Sequence, residues 1–183
     1  MPEPVLPVGA VLAFPDRRQD GSFPVRGVDG RVVARLSPRW TGSSFQAVDV
    51  AGAPLCAGSR LGWGLSGRWQ VSGADGSALM SVSKGWWRPE ARAALARGGD
   101  YVLRGSAWRR RFVVTDVAGS PVLTALPRTS ALSMHPYDFA VEVNATGWSL
   151  AEVVGLVQTW RMARKSDDTA AAGSVAATVT TMG

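Results

Sequence analysis

Three stretches of this chain set arginine beside tryptophan: "RLGWGLSGRW" from Arg60, "KGWWRPEARAALAR" from Lys84 and "SAWRRRF" from Ser106. A guanidinium fork matches the oxygens of a phosphate. An indole beside it suits either a lipid headgroup interface or a stacked base. Three adjacent guanidiniums are hard to explain by packing, so Arg109, Arg110 and Arg111, with Trp108, are the best candidates for a ligand or phosphate-binding site. In strand register Arg110 shares the face of Phe112, while Arg109 and Arg111 point the other way. The plainer reading is that Trp and Phe line a core and Arg covers the outside.

Other chemistry is poorly served. His135 is the single histidine and precedes Pro136; Cys56 is the single cysteine, which excludes an intramolecular disulfide. Cys56 falls on an apolar strand pattern, the ordinary place for a small buried thiol. No Gly-x-Ser-x-Gly elbow is present. "GWGLSG", residues 62–67, fits the Gly-x-Gly-x-x-Gly string, but dinucleotide binding needs a following helix and "RWQV" reads as a strand. The sequence therefore implies no catalytic residue, no metal site and no cofactor. A binding module is expected, and the alternative is a protein-interaction or structural domain with no small ligand.

Net charge is +6 with a pI near 10.6, carried by 18 Arg and two Lys. That balance favours polyanions: anionic lipid headgroups or a membrane surface first, nucleic acid second. An Arg-, Ala- and Val-rich composition explains the same excess without any function. The N-terminal "MPEPVLPVGAVLAF" carries Glu3 and interrupting prolines where a signal peptide needs positive charge and an unbroken apolar run. The expected location is cytoplasmic, at most peripheral to a membrane.

The elements that must hold these residues follow from an internal repeat. "FPVRGVDG" from Phe23, "FQAVDVAG" from Phe45, "WQVSGADG" from Trp69 and "FVVTDVAG" from Phe112 each place a glycine seven residues after an aromatic, and each leads into a second apolar segment. Alternation with period two makes each unit a β-hairpin. "DVAG", with Asp first and Gly fourth, is the chemistry of a type I turn closed by a left-handed glycine. With "VGAVLAF" from Val8, "YVLR" and "YDFAVEVN", ten to twelve short strands precede residue 145. Within them "PEARAALAR", opened by Pro89 and stopped by Gly98-Gly99, reads as a short helix.

One longer apolar run closes the pattern. Ser149 and Glu152 have capping-box spacing, so a helix starts near Leu150. From Leu150 to Val157 its only polar side chain is Glu152. A membrane span needs about 20 apolar residues, and this run is shorter. A helix apolar all round must then be buried in protein. Residues 1–7 read as a flexible leader, residues 8–165 as one domain, and residues 166–183 as a disordered tail.

Serial hairpins closed by "YDFAVEVNATGWSLAEVVGLVQTWRMAR" resemble the tubby C-terminal-like superfamily, most of all its LURP-one-related proteins and phospholipid scramblases. The resemblance covers about residues 8–165. It implies a mainly β fold, an antiparallel barrel of about twelve strands around a buried C-terminal α-helix, and a non-enzymatic role. Tubby domains bind phosphoinositide headgroups, which makes anionic lipid the implied ligand class. The scramblases' cysteine-rich acylation segment is absent, and "SDDT" at 166–169 has too few carboxylates to resemble their calcium segment.

Overall fold

A computed structural model describes residues 5–38, 43–62, 67–85, 90–106, 111–128 and 138–164. Twelve strands are present among them. The first six are β1 (Val11–Phe14), β2 (Phe23–Gly27), β3 (Val32–Pro38), β4 (Ser44–Asp49), β5 (Pro54–Leu61) and β6 (Gly67–Gly73). They are followed by β7 (Ala78–Lys84), β8 (Glu90–Leu95), β9 (Asp100–Ser106), β10 (Arg111–Thr115), β11 (Pro121–Pro127) and β12 (Phe139–Val143). Residues 150–164 form a helix, α1.

Each strand pairs antiparallel with its chain neighbours, and β12 returns to β1 through Val11↔Glu142 and Phe14↔Phe139. The sheet is a closed barrel, which leaves no strand edge unpaired. The turns follow the expected chemistry. Asp49 Oδ1 accepts from the amides of Ala51 (2.8 Å) and Ala53 (2.9 Å), while the Gly52 amide donates to the Asp49 carbonyl at 3.2 Å. The four repeat glycines have φ of +78° to +84°, where any side chain is strained. Strand register shifts once beside each of these turns, as between Ala47 and Val48, the mark of a glycine bulge.

"EARAAL" is not helical: it is strand β8, with Ala91, Ala93 and Leu95 buried and Arg92 and Ala94 exposed. The unit is a fifth copy of the repeat. Ala91 stands in the aromatic position, and Gly98 lies seven residues on at φ +100°. The turn bonds match too, with Gly98 N to Leu95 O and Leu95 N to Gly99 O, both 3.0 Å. Alanine favours helix by propensity, but pairing with β7 and β9 on both sides outweighs a few tenths of a kcal/mol per residue. The first strand also starts later than its apolar pattern, at Val11, because Gly9 has φ +82° and Ala10 N donates to Pro7 O.

Five tight turns thus lie at one end of the barrel, hereafter the turn end. Strands β3, β5, β7, β9 and β11 finish at the opposite end, the loop end. α1 packs inside the barrel and is buried along residues 150–163. The helix enters at the turn end and leaves at the loop end. A Cβ on Gly155 would come within 2.7 Å of Val71 Cγ1 on β6, and one on Gly105 of β9 would overlap the ring of Trp160. Trp160 also packs on Phe112 of β10, with centroids 5.5 Å apart. Close helix–sheet approach is the reason for glycine at both sites. Each fully buried aliphatic side chain of α1 contributes roughly 1.5–3 kcal/mol.

Candidate functional site

At the helix entry the capping box forms as its spacing predicts. The Ser149 amide donates to Glu152 Oε2 at 2.9 Å, and the Glu152 amide donates to Ser149 Oγ at 3.2 Å. A buried carboxylate needs a counter-charge, and Arg97 supplies it: Nε donates to Glu152 Oε1 at 2.7 Å. That hydrogen bond holds the Arg97 guanidinium above its ordinary range, against the opposing effect of burial. Arg97 also lies 5.9 Å above the ring of Trp148, a cation–π distance. Beside the pair is a cavity of about 290 Å³ walled by Val5, Ala78, Leu79 and Ala96. Residues 5 and 6 lie beside this entry, where Val5 bridges to Ser149 and the Leu6 amide donates to the Trp148 carbonyl at 2.8 Å.

The helix exit has its own buried ion pair. Arg161 Nη2 donates to Asp16 Oδ1 at 3.0 Å and to the Pro15 carbonyl at 3.3 Å. The two side chains are only 5% and 9% exposed, so the pair fixes the helix to the β1–β2 link. Sequence reasoning found neither Arg97 nor Asp16 as a partner, because they stand 55 and 145 residues from their mates. The available signal was Glu152 inside the apolar first turns of the helix and Arg161 among the polar residues of its second half; a charge at a buried position requires an opposite charge nearby.

Of the four proposed site residues, Trp108, Arg109 and Arg110 lie outside the described residues. Arg111 opens β10 and is exposed, opposite Ser106 in register, while Phe112 beside it is buried. The expected alternation of Arg111 outward and Phe112 inward holds. In "RLGWGLSGRW" the plainer reading applies to the last pair: Trp69 is 1% exposed and lines the core, and Arg68 faces solvent. Exposed Arg17, Arg18, Arg68, Arg111 and Arg128 all stand at the loop end. Glu90 is paired there with Arg104 at 2.9 Å, and Asp138 lies 3.7 Å from Arg128. The loop end of the described barrel is basic.

Cys56 is buried on β5, and His135 lies outside the described residues. Gly67 opens strand β6, so the glycine string is followed by a strand and lacks the helix N-terminus that a pyrophosphate needs. Among the described residues no three His, Cys, Asp or Glu side chains converge as metal ligands. None of the described helical residues forms a span long and apolar enough to cross a membrane.

Residues 17–159 match the family model for LURP-one-related proteins. A crystal structure of an Arabidopsis thaliana protein superposes on this barrel with a TM-score of 0.60, covering 84% of this chain and 90% of that one at 20% identity. At that identity the likeness establishes the fold. No curated protein sequence matches the chain.

Proposed function

We propose that this chain, which belongs to the LURP-one-related family, is a non-enzymatic binding module whose basic end takes a phosphate-bearing ligand, with anionic lipid headgroups the leading class. The observation that supports this is the gathering of Arg17, Arg18, Arg68, Arg111 and Arg128 at the loop end. Arg111 continues the run Trp108-Arg109-Arg110 in sequence. Guanidinium forks pair with phosphate oxygens in bidentate geometry, and an adjacent indole suits the headgroup layer. On this reading the protein works at the surface of a membrane from the cytoplasmic side.

The test is co-sedimentation with neutral, anionic and phosphoinositide-containing vesicles, comparing the wild type with the Arg109→Ala/Arg110→Ala/Arg111→Ala variant. Wild type pellets with the charged vesicles at low ionic strength, releases as salt is raised, and the triple variant stays in solution. Absence of wild-type binding at low salt, or equal binding by the variant, refutes the site.

A further inference from the structure

The barrel's two ends differ in a way that ligand binding does not use. Seven large apolar side chains are exposed among the described residues, and five of them, Val5, Val8, Val28, Val50 and Val117, stand at the turn end. Val28 and Val117 are 86% and 84% exposed, at the second position of their turns, where any residue satisfies the turn's hydrogen bonds. The strand order β11-β12-β1-β2-β3-β4 makes Val117, Val8, Val28 and Val50 successive around half of the rim, while Val5 lies across the helix entry beside Ala78, Leu79 and Ala96. Monomers rarely leave such a set open to water without a partner.

The same rim is acidic. Asp29, Asp49, Asp75, Asp100 and Asp116 all lie in or beside the turns. The arginines of those turns are already engaged, Arg31 with Asp29 at 3.5 Å and Arg97 with Glu152 at 2.7 Å. The loop end has the complementary character: the exposed arginines described above, with the other two exposed apolar side chains, Leu61 and Leu126, at the ends of β5 and β11.

We propose that the turn end docks on the loop end of a second copy of this chain, in a head-to-tail contact. Charge decides between the available partners. Two turn ends facing each other would set aspartates against aspartates, and an anionic membrane would meet the same repulsion. A turn end on a loop end sets aspartates against arginines around an apolar centre, the arrangement that orients and accelerates association. Such a heterologous contact leaves one free surface of each kind, so assembly grows with concentration rather than stopping at a dimer. This goes beyond the ligand reading and does not rest on it.

Sedimentation velocity of the full chain over a range of concentrations tests it. Salt is set at about 20 mM and then about 500 mM, where the screening length falls from roughly 20 Å to roughly 4 Å. The wild type is compared with a turn-end set, Val28→Asp/Val50→Asp/Val117→Asp, and a loop-end set, Arg17→Glu/Arg18→Glu/Arg111→Glu. All six positions are at the surface of the barrel, and circular dichroism checks that both sets fold. A Val→Ser turn-end set replaces the Asp set if it does not. The expected result is salt-sensitive growth of the wild type, with each variant set monomeric. Mixing the two sets restores a complex that stops at one copy of each, because each retains the one surface the other lacks. A wild type that stays monomeric at low salt overturns the proposal. So does a loop-end set that still self-associates, or a mixture that forms no complex.

Discussion

Gly105→Ala tests the threaded helix with a single methyl group. Gly105 sits on β9 opposite Phe112, and a Cβ there would overlap Trp160 Cζ2 and come within 3.1 Å of Cη2. Two effects compete. Replacing glycine in a strand stabilises by about 0.5–1 kcal/mol through the unfolded chain, and over-packing a tight core costs about 1–3 kcal/mol. The obstacle is a rigid indole, 3% exposed and held against Phe112, so the clash prevails. The net cost is about 1–2 kcal/mol, which for a domain of this size lowers Tm by about 2–8 °C.

The control is the same substitution in a Trp160→Phe background, where the outer edge of the indole is gone. There the sign reverses, because the backbone gain remains and the clash does not. The coupling in the four-variant cycle is then about 1.5–3 kcal/mol, read from thermal or urea melts. Equal effects of Gly105→Ala in both backgrounds, or stabilisation in the wild type, would refute the placement of Trp160 over β9.

Two further outcomes bear on the turns. Gly119→Val costs more than Val113→Ala, since Gly119 has φ +84° and a β-branched residue there is strained by about 1–2 kcal/mol or more, whereas Val113 is only partly buried; equal melting temperatures would contradict the turn geometry. The Asp75 carboxyl titrates below the ordinary carboxylate range, because the Ser77 hydroxyl (2.6 Å) and amide (2.9 Å) both donate to it. Its folded value is the depressed one, so its contribution to stability is complete above the ordinary value and is lost as pH falls through the lowered one. Carboxyl NMR titration shows the shift, and Ser77→Ala moves it back up; an unchanged titration in that variant would contradict the assignment.

The fold was legible where sequence spacing and local chemistry coincide. Aromatic-to-glycine spacing located four hairpins, and Ser149 with Glu152 located the helix start to the residue, because a capping box is a contact between near neighbours. Reading failed at β8, where Ala91 replaces the aromatic and Leu95 replaces the Asp or Gly that opens the turn. What remained visible was an alanine-rich run with helical propensity, and the strands on either side decided otherwise. The seven-residue spacing from Ala91 to Gly98 was the surviving signal. Of the candidate site, only the outward direction of Arg111 was accessible, through its alternation with buried Phe112. The ion pairs Arg97–Glu152 and Asp16–Arg161 depend on which strands close around the helix, which no local pattern encodes.

The charge division between the two ends follows partly from the hairpin chemistry itself. A turn that opens with Asp gains two amide hydrogen bonds, as Asp49 shows; where Gly opens the turn, Asp29 and Asp75 at its third position each accept one amide, from Arg31 and Ser77. Acidic side chains therefore collect wherever such turns collect. In a barrel of serial hairpins that is one end. The aspartates would be present whether or not anything bound there. The valines carry the information, because no hydrogen bond of the turn requires Val28, Val50 or Val117. Water opposes their exposure without any local compensation. The exposed apolar residues thus mark the turn end as an interaction surface, and the charges that the turns already impose set the direction in which a partner docks.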